Sequence, residues 1–157
     1  MADKADLDFT YTTIDKIFRL SMGETADYSG AKYDGDFSMS LEEAQKEKHR
    51  FIADNIYIGH GSKVLDMACG WGPFIKYASQ DRGAICTGLT LSKGQAKACR
   101  KNRMKVLVKD CRYIVPEDLG MFDAISCIGG LEHFCSVEEW KEGKQEKVYR
   151  DFFKTVA

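Results

Sequence analysis

Apolar positions along this chain follow two different periods. Over residues 9–22, Ile14, Ile17, Phe18 and Leu20 recur at near-helical spacing and predict an N-terminal helix. Residues 23–38 are rich in Gly, Asp and Tyr and read as an ordered loop or cover segment. Ser40, followed by Leu41, Glu42 and Glu43, supplies a hydroxyl N-cap and first-turn acids. It predicts a helix to about residue 57, ended by Gly59 and Gly61.

From Lys63 the period changes. Residues 63–68 form an apolar run of strand length, then a glycine turn, then an amphipathic helix over 73–80. A second strand is predicted over 84–89 and a second helix over 92–102, begun by Ser92 with Gln95 at capping-box spacing. Strands over 105–109 and 122–128 and one polar helix over 137–156 complete the pattern. Strands alternating with helices of these lengths predict an α/β fold, a doubly wound and mainly parallel sheet under an N-terminal helical cover. Residues 1–60 read as the cover and 61–157 as the core.

Composition narrows the classes. A length of 157 residues suits one domain, and 2 Pro with 14 Gly exclude collagenous and low-complexity chains. A net charge of −1 argues against nucleic acid or an anionic membrane as partner. No stretch approaches the ~18 apolar residues of a membrane span, and the start, with Asp3, Asp6 and Asp8, does not read as a secretory signal. A cytoplasmic location is expected. Cys69, Cys86, Cys99, Cys111, Cys127 and Cys135 form no C-x-x-C pair, so no metal site is expected and they read as small buried groups.

The strongest motif is residues 64–72, where a strand runs into Cys69-Gly70-Trp71-Gly72 and then a helix. Glycines in such a turn let backbone N–H groups approach a ligand, or merely permit the turn. Ile75 occupies the third glycine position of a dinucleotide fingerprint, and no G-K-[ST] string follows, so neither phosphate-binding motif is present. A small cofactor with amino-acid and ribose parts remains.

Residues 64–72 resemble the first motif of the S-adenosylmethionine-dependent methyltransferases. Further strings resemble the cyclopropane-fatty-acid synthase branch: Tyr28-Ser29-Gly30-Ala31 resembles Y-S-C-A, and Ser40-Leu41-Glu42-Glu43-Ala44-Gln45 resembles T-L-E-E-A-Q. Cys69-Gly70-Trp71-Gly72 matches C-G-W-G, residues 88–92 with Gln95 match G-x-T-L-S-x-x-Q, and residues 128–134 resemble I-G-x-x-E-H-F. The resemblance implies a Rossmann-like class I fold, S-adenosylmethionine as cofactor and S-adenosylhomocysteine as product.

It also implies roles. Tyr28 and Ser29 would meet the cofactor's carboxylate end, or simply form a turn. Asp66 would accept from its ammonium or brace the loop, with Ala68 standing where the wider family has glycine, and Gly70 and Gly72 would contact it. Thr90, Leu91 and Gln95 would take the ribose end in place of the usual acid, although Gln95 also reads as a helix cap. Asp110 and Cys111 would lie at the adenine edge, with Arg112 as a surface or loop-anchoring cation, and Ile128 would be a further cofactor-binding residue. Glu132, with His133 second, is the catalytic candidate, as a base or a charge stabiliser. The alternative pairs Glu132 with a cation and makes His133 a cap.

Three functions follow from the resemblance. The first is methyl transfer to the C, N or O of a small or lipid-like acceptor. The second is fatty-acyl cyclopropane synthesis, which in the family uses the Y-S-C-A cysteine to hold a bicarbonate; Gly30 stands there instead and favours the first. The third is a catalytically silent module acting through a partner. Only four of the family's seven strands are expected here, so a partial chain, a second chain completing the sheet or a homo-oligomer is expected, with residues 122–128 as an exposed apolar edge.

Overall fold

The computed structural model describes residues 4–23 and 25–157. Two helices come first, α1 (Lys4–Met22) and α2 (Leu41–Asn55). Then β1 (Lys63–Asp66), α3 (Pro73–Arg82), β2 (Ile85–Thr90), α4 (Lys93–Lys101) and β3 (Val106–Val108) alternate. The chain continues through a short 3-10 turn, α5 (Pro116–Leu119), β4 (Ala124–Ser126), a second 3-10 turn, α6 (Val137–Lys141) and α7 (Gln145–Val156).

The four strands make one parallel sheet in the order β3-β2-β1-β4. Successive strand residues point to opposite faces, and both faces are covered, so the strands read as apolar runs without alternation. Val64 turns to a core shared with α2 and α3 through Ala53, Phe74 and Ala78. Its neighbour Leu65 turns to the other core, closed by Phe134 and Phe152 from the C-terminal segment. Strand β2 lies so close to the first loop that a Cβ on Gly88 would stand 2.5 Å from Ile75 Cδ1 and 2.8 Å from Cys69 Sγ. Only glycine fits there.

The caps explain the helix starts. Ser40 and Glu43 form a reciprocal capping box on α2, and the Ser92 hydroxyl accepts from the Gln95 N–H on α4. The expected helix over 137–156 is instead two. Ser136 and Glu139 form a second capping box that starts α6, and Gly143, at φ +71°, breaks the chain before α7. The short α5 and the two 3-10 turns were not expected, since each is too brief for a periodic signal. The first helix starts at Lys4, five residues ahead of the apolar pattern.

Strand β4 is an edge, but its apolar residues are not what it exposes. Phe122 and Ile125 pack partly against the Leu65 core, leaving the backbone row as the open feature. The cysteines are free, and four are buried. Burial pushes the thiols of Cys86 and Cys111 up to about 11 and that of Cys127 up to about 12. Protonated, with Cys111 buried and Cys86 and Cys127 partly so, they pack as small apolar groups.

The cover is held by a mixture of aromatic and polar contacts. α1 packs on α4, where a Cβ on Gly94 would sit 3.0 Å from Thr12 Oγ1. Trp71, 1% exposed, meets the rings of Tyr11, Phe18 and Tyr28 at 5.6–6.1 Å, and its indole N–H donates to Asp15 of α1 at 2.5 Å. Helix α2 rests on α3 and buries Gln45, Lys48 and His49 beside its apolar stripe.

Candidate active site

Having built β2 and β3 on one side of β1, the chain crosses over to place β4 on the other. Loops at the carboxyl ends of β1 and β4 then diverge and leave a crevice, the usual ligand position in such a sheet. The crevice is a cleft of about 980 Å³, large enough for a nucleoside-sized molecule. The loop after β1 is stitched to both neighbours: Met67 N–H donates to Ser126 O at 2.8 Å, and Cys69 N–H to Leu89 O at 3.0 Å.

Sequence candidates from five separate segments converge here. Tyr28 and Ser29 line the cleft from the cover, and Asp66, Ala68 and Gly70 from the first loop. Thr90, Leu91 and Gln95 line it from the β2–α4 junction, Asp110 and Cys111 from the end of β3, and Ile128, Glu132 and His133 from the end of β4. Gly72 is the exception. It caps α3 at φ +81° and faces away, where a Cβ would stand 2.4 Å from Met104 Sδ. Helix entry and close packing require glycine at this position, and Gly72 is not among the residues that line the cleft.

Asp66 is 2% exposed, and its Oδ1 receives only a long 3.4 Å bond from the Ala68 N–H within the loop. Burial pushes its carboxyl up to about 7, with Ala68 and Ser126 pulling weakly the other way. The unfolded chain ionises this group near its ordinary value of 3.8, whereas the folded chain keeps the proton until the pH nears 7. Stability from this group is therefore complete below about pH 4 and is lost as pH rises through about 7. Asp66→Asn should flatten the pH 4–7 slope of the urea midpoint, a change of a few kcal/mol at about 1.4 kcal/mol per unit. An unaltered slope would reject this account of Asp66.

Ala68 is accommodated by a second glycine. A Cβ on Gly130 would stand 2.7 Å from Ala68 Cβ, so the loop after β4 leaves room for the methyl group. Gly70, at φ +53°, turns its backbone to the cleft, and a Cβ there would point into open space with Gln95 Nε2 4.0 Å away. The Thr90 hydroxyl donates to Gln95 Oε1 at 2.6 Å, which leaves the Gln95 amide N–H₂ as the donor facing the loop. Asp110 is engaged by Arg112, whose Nη2 donates to Oδ2 at 2.7 Å. Arg112 also donates to Phe134 O at 3.3 Å, anchoring the β3 loop to the segment after β4.

Glu132 and His133 are exposed on the short 3-10 turn that rims the cleft. Tyr28 stands on the opposite rim and its hydroxyl lies 3.1 Å from that of Tyr11. Its ionisation is pushed well above the phenol range, first by burial, then by Tyr11, with the Glu132 charge adding to both. Tyr28 and Glu132 thus both line the cleft. Sequence reasoning did not single out Asp27, His49 or Trp71, all of which line the cleft. Trp71 lay in the quoted motif, but the other two carried no local signal.

Known proteins can be compared with this geometry. The profile of the family described as Mycolic acid cyclopropane synthetase matches residues 2–157. The chain is 30% identical over 138 residues to the sphingolipid C9-methyltransferase of Komagataella phaffii, covering 78% of this chain and 28% of that protein. It is 32% identical over 133 residues to the cyclopropane mycolic acid synthase MmaA2 of Mycobacterium tuberculosis, covering 82% and 46%. Among solved structures, mycolic acid cyclopropane synthase CmaA1 complexed with SAH and CTAB superposes with a TM-score of 0.75 at 28% identity, covering 94% of this chain and 53% of that one. The chain thus spans less than half the length of these two curated relatives. A parallel sheet with its crevice at the β1–β4 crossover, a glycine loop beneath it and a match along nearly the whole sequence agree: the chain belongs to the mycolic acid cyclopropane synthetase family.

Proposed function

We propose that this chain binds S-adenosylmethionine in the cleft and is the cofactor-binding portion of a methyltransferase acting on a lipid-like acceptor. The observation that carries the reading is the pairing of the Gly70 turn with a buried Asp66 carboxylate that lacks a strong internal partner. Such a carboxylate suits an ammonium group, and the open Gly70 backbone suits close ligand approach. Residues 61–157 would hold the cofactor and residues 1–60 would cover it. Asp66 and Gly70 would take the amino-acid end, Gln95 the ribose, and Asp110 with Cys111 the adenine.

When bound, the cofactor supplies an activated methyl group on a sulfonium, for an in-line displacement. The chain's own residues then align the acceptor and handle its charge. Glu132 would stabilise positive charge developing on the acceptor, or take its proton where the nucleophile is N–H or O–H. His133 would assist from the same turn. The acceptor class is inferred from relatives that carry sphingolipid and mycolic acid names. No helix among the described residues is long and apolar enough to cross a membrane.

Ring closure is the second reading, favoured by the family's name. Gly30 lines the cleft with open space where a side chain would project, so this chain offers no thiol there. Simple methyl transfer is the reading this favours. Calorimetry with S-adenosylhomocysteine should show one-site binding. Product NMR with unsaturated phospholipid vesicles as acceptor should show new methyl protons and no upfield ring protons. Absence of binding would support a catalytically silent module, and ring protons would support cyclopropane synthesis.

A further inference from the structure

Burying a charged or amide side chain is costly unless its polar atoms are bonded, so the three buried polar groups of α2 call for a physical reason. Packing of α2 on α3 uses Ala53, the partly buried Ile52 and the ring of His49, which lies 5.7 Å from that of Phe74 and 5.8 Å from that of Tyr77, and it leaves the polar atoms of all three polar groups to be satisfied elsewhere. Gln45, Lys48 and His49 direct their bonds at two residues of the cover, Asp27 and Ser29. Gln45 Nε2 donates to Asp27 O at 2.9 Å and to Ser29 O at 2.7 Å. Lys48 Nζ donates to Asp27 Oδ1 at 2.8 Å and to Ser29 Oγ at 2.7 Å. His49 Nε2 donates to Asp27 Oδ2 at 2.7 Å.

These two residues flank Tyr28. Both neighbours of Tyr28 are therefore tied to a rigid helix while its ring reaches over Trp71 and its hydroxyl meets Tyr11. We infer that Lys48 and Asp27, with Gln45 and His49, form a latch that positions Tyr28 and Ser29 on the rim of the cleft. Gln45 and Lys48, which do not line the cleft, are positioning residues acting on the ligand through Tyr28 and Ser29, while Asp27 and His49 also line the cleft themselves. Helix α2 (Leu41–Asn55) precedes the sheet, yet through this latch it fixes one wall of the site. The inference rests on the cofactor reading given above.

Lys48→Met tests the latch, because both residues are good helix formers of similar length and α2 keeps its apolar stripe. Loss of a charge-assisted pair should weaken S-adenosylhomocysteine binding by about tenfold in calorimetry. Hydrogen exchange of the ligand-free protein should show faster exchange of the Lys32 amide, which bonds Ala44 O, and of its neighbours back to Ala26. The readout that a merely structural role would not move is coupling. Tyr28→Phe should weaken binding in the unsubstituted chain and change little in the Lys48→Met background. Should Lys48→Met fail to fold, Lys48→Gln keeps a donor without the charge and carries the same expectation at smaller size.

Binding by the unsubstituted chain with equal affinity in the Lys48 variant overturns the latch alone. Fully additive effects of Tyr28→Phe and Lys48→Met also overturn it. No binding by the unsubstituted chain overturns the cofactor reading, and the role of the latch with it.

Discussion

Trp71→Ala lowers the stability of the folded chain by about 3–5 kcal/mol, the usual cost of truncating a buried aromatic residue. Against a total of about 5–15 kcal/mol for an ordinary domain, that is a large share. The reason is that Trp71 belongs to two structures at once. It sits in the loop between β1 and α3, and its ring is the surface on which α1 and the Tyr28 segment rest. Removing it leaves a cavity under the cover and takes away the N–H donor to Asp15. A urea titration monitored by far-UV circular dichroism should show an earlier midpoint, and Trp71→Phe should fall between the two. A midpoint within experimental error of the parent would show that the cover does not depend on this ring.

Glu132→Gln is expected to lower turnover by about 10²–10⁴-fold while leaving S-adenosylhomocysteine affinity nearly unchanged. The amide keeps the size and most of the hydrogen bonding of the carboxylate but cannot carry charge or take a proton. Because Glu132 is exposed on the rim of the cleft, the substitution costs little folding energy. Labelled methyl incorporation into a lipid acceptor, with calorimetry in parallel, separates the two effects. Turnover within twofold of the parent would remove Glu132 from the chemistry. Lost affinity with unchanged turnover of the bound complex would make it a cofactor contact.

Local signals made much of the fold legible. The apolar run at Val64–Leu65, the glycine turn after it and the hydroxyl caps at Ser40 and Ser92 each act within a few residues, so the sequence displays them directly. Glu132, Thr90 and Gln95 became candidates through the resemblance of their strings to the family's, and the topology brings all three to the cleft. What escaped depends on distant partners. Lys48 and His49 look like the solvated side of a polar helix, and only the folded chain reveals Asp27 beside them. The packing demand on Gly72 shows only once Met104 is placed behind it. The break before α7 was within reach, since Ser136 and Glu139 repeat the capping spacing and Gly143 follows at helix-ending distance.

The strand order also sets an order of assembly. β1 pairs with β2 about 20 residues away, and β2 with β3 at a similar separation, whereas its partnership with β4 spans about 60. Closing the longer loop costs roughly 1 kcal/mol more entropy, and it must also wait for synthesis of the intervening chain. The β1-α3-β2-α4-β3 unit is thus favoured to form first, with β4 docking onto its open side afterwards. Since the cleft lies between the loops of β1 and β4, it comes into being only at that docking step. A ligand that bridges the two loops would then act as a fastener on the least committed seam of the fold.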